Sequence, residues 1–366
     1  MSFSRDASCL RVGERVCAWG KNLRVAALLM GVVLACAGGA AAQEQQKPLR
    51  LFHEVHPAMG SEFSIDLYAP DEETAEQWMQ MSFDEIDRLE DLLSNYRATS
   101  ELSRISRDAG KGPVTTDPET FAFLEKVVEL SRRSGGAFDM TVGPLMRAWG
   151  FFFNEGRVPS DAELAALRPK TGWRHIKLDA SKRAVWFDNG VSMELDPGGI
   201  GKGYAVDKVI ELLRGEGVTA ALVSGGSSSI YGLGAPPGAE GWRVNVPDPV
   251  RHGETVSSVL LKDTSLSTSA CTEKFFIKNG HRYCHILNPH TERPVEDKLQ
   301  TTVIAPSTTD SDVLSTASFV MDLEAAAKLV ETFPGASALL VSGDEKDPKY
   351  RSVRWPGSLK IKDKAE

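Results

Sequence analysis

Cysteine is scarce in this sequence, and positive charge is nowhere concentrated. The 366 residues contain 5 cysteines, and 42 Lys and Arg stand against 50 Asp and Glu, which gives a formal net charge of −8. There is no run of basic residues and no internal repeat. Because nucleic-acid binding needs clustered cations that neutralise phosphates, this composition argues against a nucleic-acid partner.

Residues 1–42 have the features of a targeting segment. Basic residues precede an apolar run, Val25–Ala37, and three alanines ending at Ala42 offer a cleavage site. The run of about 13 residues is short for a membrane span, which needs roughly 20. We therefore expect an exported, periplasmic protein, with a buried N-terminal helix as the alternative. The stretch "VLAC", ending at Cys36, resembles a lipoprotein box, so a lipid anchor to the inner membrane stays open beside cleavage.

Only Cys271 and Cys284 follow the targeting segment. The residues between them predict a β-hairpin that turns at Asn279 and Gly280. In that register Cys284 faces Phe275, and Cys271 lies four residues further along, beyond the Cα–Cα reach of about 7 Å for a disulfide. An oxidising compartment would permit a bridge, but this geometry does not favour one. Two lone thiols also cannot make a zinc site.

The rest of the chain mixes helices and strands without a regular βαβ alternation. Helical periodicity predicts a helix over Asp71–Leu93, and Asp117 and Ser160 are predicted N-caps of two more. Short strands are predicted later in the chain, including "VSMELD" at 191–196. The pattern indicates a single α+β domain with antiparallel sheet elements and packed helices. We expect a linker at 43–50, the domain at 51–345 and a C-terminal tail at 346–366.

The stretch "LDPGGIGKGYAVD", at 195–207, carries four glycines around one lysine. It matches neither a Walker phosphate loop nor a dinucleotide-binding G-x-G-x-x-G. What remains is a glycine-rich turn into a helix, whose amides can face an anion and whose carbonyls can face a cation. A turn that only lets two elements pack closely is equally compatible with the sequence.

Eight segments occur in the order of a known family. They are "AMGSEFSI", "LSNYRATSELSRIS", "GGAFDMTVGPLMRAWGF", "LDPGGIGKGYAVD", "ALVSGG", "STSA", "HILNPHTERPV" and "DSDVLSTASFV". Together they closely resemble the ApbE family of FAD:protein FMN transferases, over about residues 52–342. Such enzymes cleave FAD, attach FMN to a threonine or serine hydroxyl of an exported flavoprotein, and release AMP. The resemblance therefore implies FAD as substrate, an exported acceptor flavoprotein as partner and an ApbE-like fold.

The resemblance also implies a Mg²⁺ site. Its ligands would be the Asp312 carboxylate, the Thr316 hydroxyl and the carbonyl of Gly201. Asp312 and Thr316, at i and i+4, lie on one face of a predicted helix, and a hard cation with oxygen ligands suits a pyrophosphate. The alternative is that Asp312 only caps its helix. Some relatives carry a further Asp where this chain has Ser315.

The remaining implied site residues contact FAD or act on the acceptor. The matched flavin-lining and nucleotide-lining positions are Met59, Tyr96, Ala137, Phe138, Asp139, Gly198, Tyr204 and Ile286. Met59 and Phe138 have the alternative of being plain core residues. His285 matches the position of the family's proposed base. Imidazole suits that role because it titrates near neutral pH. The alternative is a strand histidine bonded to a backbone carbonyl.

Two other functions stay open. Water in place of the acceptor hydroxyl would make the protein an FAD pyrophosphatase that yields FMN and AMP. An exported FAD-binding protein without catalysis is the second. Asn288 and Glu292 interrupt the family's usual turn after the base, and this departure weakens the case for transfer more than the case for FAD binding.

Overall fold

An antiparallel sheet of eight strands forms the centre of the protein, in a computed structural model that describes residues 47–272 and 274–360. The helices are α1 Glu72–Leu93, α2 Glu101–Asp108, α3 Pro118–Arg133, α4 Gly143–Ala148, α5 Asp161–Leu167, α6 Gly201–Gly215, α7 Thr308–Val320 and α8 Leu323–Glu331. The strands are β1 Arg50–Ala58, β2 Ser61–Ala69, β3 Val114–Thr115, β4 Ile176–Asp179, β5 Ala184–Phe187, β6 Ala220–Gly225, β7 Ser229–Gly234, β8 Trp242–Pro247, β9 Thr255–Leu261, β10 Thr264–Ala270, β11 Phe275–Lys278, β12 His281–Cys284, β13 Leu287–Asn288, β14 Arg293–Pro294, β15 Lys298–Ala305, β16 Ser337–Ser342 and β17 Lys349–Val353.

The central sheet has the strand order β1-β2-β6-β7-β10-β15-β16-β17. Every neighbouring pair in it is antiparallel. Shorter sheets join β8 to β9, β11 to β12, β13 to β14, and β3 and β4 to β5. The predicted α+β class, with antiparallel strands and packed helices, is confirmed.

The two faces of the sheet bury different layers, because successive strand residues point to opposite sides. Ala221 and Val223 of β6 pack into the main core, together with residues of α1, α6, α7 and α8. Ala220 and Leu222 of the same strand pack on the other face, beneath β8 and β9. The helical layer therefore lies on one face only, and it carries α6 and α7.

The three predicted helix starts are confirmed. Asp71 accepts a hydrogen bond from the Thr74 amide at the start of α1. Asp117 caps α3, with Pro118 in its first turn. Ser160 and Glu163 form a reciprocal capping box at the start of α5. Short polar side chains that accept from free amides are local signals, which is why the sequence reveals them.

Two predicted boundaries change. β17 pairs with β16, so residues 349–353 of the predicted tail belong to the central sheet, and β1 begins within the predicted linker, at Arg50.

The predicted strand at 191–196 is irregular. Two of its amides bond to groups outside any strand, Leu195 to the Ser106 hydroxyl on α2 and Asp196 to the Met140 carbonyl.

The prediction of unpaired cysteines is wrong. Cys271 and Cys284 form a disulfide with a Cα–Cα distance of 5.3 Å. The predicted hairpin register, with Cys284 opposite Phe275, is confirmed. The error was to extend β11 back to Cys271, whereas the chain bends at Cys271 and Thr272 before the strand begins. The bend brings the two cysteines together.

The predicted targeting segment 1–42 and Cys36 lie outside the described residues. No helix in the described ranges is both long enough and apolar enough to cross a membrane.

Helices α6 and α7 meet at Gly203, in the first turn of α6. A Cβ atom placed on Gly203 would lie 2.5 Å from the Thr308 carbonyl oxygen and 2.8 Å from the Asp312 Cβ. Contacts this short are repulsive, so only glycine fits without moving α7. Part of the glycine content of the 195–207 stretch is therefore explained by close helix packing.

We expect Gly203→Ala to lower the free energy of unfolding by about 1–3 kcal/mol, because the added methyl group forces α6 and α7 apart. Gly215→Ala is the matched control, since Gly215 ends the same helix and a Cβ there meets nothing within 4 Å. That control should be neutral or stabilise by up to about 1 kcal/mol. Urea denaturation of both variants measures the difference, and equal effects would contradict this account of Gly203.

Candidate active site

One large cleft, of about 1150 Å³, brings together eleven of the twelve predicted site residues. Its walls come from the glycine turn before α6, the loops around Phe138 and Phe152, the end of β10 and the residues that follow β12. The eleven are Met59, Tyr96, Ala137, Phe138, Asp139, Gly198, Gly201, His285, Ile286, Asp312 and Thr316.

Tyr204 is the exception. Its hydroxyl donates to Glu119 at 3.1 Å, and its ring packs edge-on against Phe123 at 5.0 Å between centroids. Tyr204 therefore faces α3, and it does not line the cleft. Tyr204 follows Gly203 directly on α6. Because a helix turns by about 100° per residue, the side chain of Tyr204 points to a different side of α6 from the one that faces Asp312.

The Asp312 carboxylate lies against the N-terminal turn of α6. Its Oδ2 accepts a hydrogen bond from the Gly203 amide at 3.0 Å. The N-cap of α7 is Ser307, so Asp312 does not cap its own helix as the alternative had it. Burial raises the pKa of the Asp312 carboxyl, and the charge of Lys202 and the Gly203 hydrogen bond oppose this rise. A buried carboxylate beside a helix N-terminus is a ready ligand for a cation.

Thr316 lies one turn further along α7 and reaches the same glycine turn. A Cβ placed on Gly199 would lie 3.2 Å from the Thr316 hydroxyl oxygen. The Ser269 hydroxyl, on β10, lies 3.4 Å from the same oxygen. The Ser315 hydroxyl pairs with the same Ser269 hydroxyl at 2.9 Å and donates to the Asp312 carbonyl. Ser315 is therefore engaged within the protein.

The donor set at this point is one carboxylate and neutral oxygens. Asp312, the Thr316 hydroxyl and the backbone of Gly201 line the cleft together. In the described ranges no group of three or more His, Cys, Asp or Glu side chains is placed to hold a metal ion. Mg²⁺ commonly uses one or two protein carboxylates and completes its shell with waters and substrate phosphates. The residues present fit Mg²⁺ and do not fit a site built wholly from protein ligands.

His285 follows β12 directly and lines the cleft. Its Nδ1 lies 2.9 Å from the Lys274 carbonyl oxygen. A carbonyl only accepts, so Nδ1 carries a proton there and the neutral ring has its lone pair on Nε2. Nδ1 is thus bonded to a backbone carbonyl, as the alternative for His285 expected. A general base also needs a lone pair on a ring nitrogen, and Nε2 carries it.

An aromatic wall lines the part of the cleft next to Tyr96. The Tyr96 ring stacks on Phe152 with centroids 4.3 Å apart, and Tyr96 is still 66% exposed. The Arg147 guanidinium lies 3.6 Å from the centre of the Phe152 ring and pairs with Glu194. Sequence reasoning missed Phe152. The three consecutive phenylalanines at 151–153 between Gly150 and Gly156 were the available signal, because such a run is rarely exposed without a reason.

Met59 and Phe138 belong to both the core and the cleft. Phe138 is 3% exposed and Met59 packs against the main core, and both also line the cleft. Met59 and Phe138 therefore act as core residues and line the cleft at the same time.

Asp139 is buried and already bonded. Its Oδ1 accepts from the Thr141 amide and hydroxyl, and its Oδ2 accepts from the Trp173 amide at 2.9 Å. Burial raises the pKa of Asp139, and these hydrogen bonds oppose the rise. A smaller cavity of about 190 Å³, lined by Trp173 and His290, adjoins it. Asp139 thus fixes the loop shape around two cavities.

The turn after His285 contains the two residues that depart from the family's usual sequence, Asn288 and Glu292, and both make contacts that hold it. Asn288 accepts from the His290 amide at 2.9 Å, as an aspartate would. Glu292 adopts a φ of +63°, a conformation that glycine reaches without strain. Its carboxylate makes two hydrogen bonds with Arg168, and its carbonyl accepts from the Trp149 ring. These contacts hold the turn in place.

Asp207 is a partly buried carboxylate to which sequence reasoning gave no role. It lies on α6 and accepts from the amides of Thr308 and Thr309 at 2.6 and 2.8 Å. Burial raises the pKa of Asp207, and these hydrogen bonds oppose the rise. Asp207 therefore fixes the start of α7, and with it the position of Asp312.

Known proteins with this sequence pattern and this fold agree with one another. The model of the ApbE family matches residues 59–340. A Treponema pallidum protein named FAD:protein FMN transferase is 32% identical over 270 residues, 70% of this chain and 74% of that relative. A Vibrio cholerae protein of the same name is 29% identical over 317 residues, 84% of this chain and 92% of that relative.

Two solved structures give the same result. The ApbE protein from Thermotoga maritima superimposes with a TM-score of 0.75 at 28% identity, covering 83% of this chain and 97% of that one. The flavin transferase ApbE from Vibrio cholerae gives a TM-score of 0.74 at 27% identity, covering 84% and 98%. Since the family model spans most of the sequence and these folds superimpose over most of both chains, the chain belongs to the ApbE family.

Proposed function

We propose that this protein is an FAD:protein FMN transferase that depends on Mg²⁺ and modifies a threonine or serine of an exported flavoprotein. The observation that carries the proposal is the arrangement of one cleft, in which the Asp312 and Thr316 oxygens, the glycine turn and His285 all face the same space. The names of the relatives supply the reaction class. The targeting pattern at 1–42 supports an exported acceptor, with lipid attachment through Cys36 as the variant form.

In the proposed reaction the acceptor oxygen attacks the FMN phosphorus of FAD. The bond between that phosphorus and the bridging pyrophosphate oxygen breaks, and AMP leaves with that oxygen. The hydroxyl proton passes to His285 Nε2, while the Lys274 carbonyl holds Nδ1–H. A bound Mg²⁺ would neutralise the charge that builds up on the pyrophosphate oxygens.

The chain's own residues would bind and orient FAD. The aromatic wall of Tyr96 and Phe152 offers a flat apolar surface that suits an isoalloxazine ring. The exposed turn at Gly198, with Lys202 beside it, would face the pyrophosphate at the N-terminus of α6. In this arrangement the phosphorus would lie between the proposed metal ligands and His285.

One assay separates transfer from its two alternatives. The full chain is incubated with FAD, Mg²⁺ and a candidate acceptor domain, and the denatured mixture is separated on a gel under ultraviolet light. A fluorescent acceptor band supports transfer. Free FMN and AMP without a band would establish a pyrophosphatase, and unchanged FAD would establish a binding protein.

We expect Asp312→Asn to lower AMP release by at least about 100-fold, because the metal loses its only carboxylate ligand. Asparagine keeps an oxygen that can accept from the Gly203 amide, so α6 and α7 stay in contact. Thermal unfolding of the variant checks the fold, and a Mg²⁺ titration after chelation measures the metal requirement. Full turnover by the variant would refute the metal assignment.

We expect Tyr96→Ala to weaken FAD binding about tenfold, since an aromatic stack is worth about 0.5–1.5 kcal/mol. Tyr204→Phe is the matched control, because Tyr204 lies outside the cleft and the change removes only its bond to Glu119. Flavin fluorescence quenching measures both dissociation constants. Equal losses would show that the cleft is not the FAD site.

We expect His285→Ala to lower the transfer rate by about 100- to 10,000-fold, the range for loss of a general base. FAD binding should change less than about twofold, because the ring acts on the acceptor proton. Single-turnover transfer and equilibrium binding are measured on the same preparation. A matched fall in both quantities would argue against a base.

A further inference from the structure

The β11–β12 hairpin that leads to His285 stands outside the central sheet. Phe276 and Tyr283 stack across the hairpin with centroids 4.8 Å apart, and Tyr283 also packs against Trp149, at the end of α4, at 5.7 Å. The Cys271–Cys284 disulfide lies at the end of the hairpin nearest to His285 and connects it to the residue after β10.

The disulfide connects the two halves of the proposed site. Cys271 directly follows β10, two residues after Ser269, whose hydroxyl lies 3.4 Å from the Thr316 hydroxyl. Cys284 is the last residue of β12 and is followed by His285. The bridge thus links the strand beside the metal ligands to the residue before the proposed base.

The groups that orient the His285 ring lie within the loop that the bridge closes. Lys274 falls between the two cysteines, and its carbonyl oxygen is 2.9 Å from His285 Nδ1 and 3.2 Å from the His285 amide nitrogen. Opening the bridge would therefore release the orienting carbonyl and the chain before the ring at the same time. A bridge that served only global stability would not need to lie at this point.

The Cys284 side of the bridge is rigidly held. Cys284 is 3% exposed and packs with Ile286, Val295 and Phe319, and its sulfur accepts from the Ile286 amide at 3.4 Å. Ile286 itself lines the cleft. Movement of the sulfur would therefore be transmitted to both residues that follow it.

We propose that the Cys271–Cys284 disulfide is a positioning element for the reaction, which holds His285 at a fixed distance from the Asp312 and Thr316 side of the cleft. The proposal rests on the proposed function of His285. Reduction by a dithiol opens the bridge: two electrons and two protons pass to the protein, Cys271 and Cys284 become thiols, and the dithiol becomes a cyclic disulfide.

The first test removes the bridge in the full chain by the double variant Cys271→Ser and Cys284→Ser. AMP release counts transfer and hydrolysis alike, and we expect its kcat to fall about 10- to 100-fold, the cost of a misplaced catalytic group. The FAD dissociation constant should change less than about twofold. Dithiothreitol should lower wild-type kcat equally, reoxidation should restore it, and the double variant should not respond. An unchanged kcat overturns the proposal.

A second background separates positioning from general stability. In His285→Ala there is no base to position, so removing the bridge should lower the residual rate less than twofold further. An equal fall in both backgrounds would show that the bridge is only structural, and so would a loss of FAD binding in proportion to kcat. If the serine variant fails to fold, reduced wild type and reduced His285→Ala provide the same comparison.

A spectroscopic measurement keeps the proposal distinct from the proposed function. If oxidised wild type releases no AMP, the proposed function fails. The position of the His285 ring can still be followed by nuclear magnetic resonance. The ring nitrogen resonances of His285, assigned by their absence in His285→Ala, should shift or broaden on reduction as the bond to Lys274 is lost. Unchanged resonances in the reduced protein would overturn the positioning role.

Discussion

The contact between the N-terminal turn of α6 and the side of α7 is the constraint on which the site depends. It exists because Gly203 has no side chain, so that its amide can reach the Asp312 carboxylate at 3.0 Å. Gly199 allows the same approach by Thr316. The proposed metal ligands are therefore held by two packed helices, which position them more rigidly than a loop would.

Each of these two helices also stabilises the start of the other. Asp207 of α6 accepts from the first amides of α7, and Asp312 of α7 accepts from the first turn of α6. Burial raises the pKa of both carboxyls, and their amide partners oppose the rise. For Asp312, Lys202 contributes, and a bound dication would lower the pKa further. A bound dication would thus offset part of the free-energy cost of burying the Asp312 charge.

The sequence predicted those parts of the structure that depend on neighbouring residues. The helix that begins after Asp71, the N-caps at Asp117 and Ser160 and the turn at Asn279 follow from contacts within a few residues. The failures depended on distant partners. Residues 191–196 have strand-like residues, but their amides bond to Ser106 on α2 and to Met140. Tyr204 matched a family position, but the direction of its side chain was set by α3 packing against α6.

The sequence by itself determined the α+β class, the family and the set of residues that came together in the cleft, because ordered motifs and local caps are written in adjacent residues. Only the tertiary structure decided that Cys271 and Cys284 pair, that Glu292 is held at a positive φ and that Phe152 forms a wall of the cleft. The disulfide needs a bend at Cys271 and Thr272, whereas Glu292 and Phe152 depend on long-range contacts, a bidentate partner 124 positions away and a stacked ring. Such contacts exist only once the sheet and its helices have brought separate segments into register.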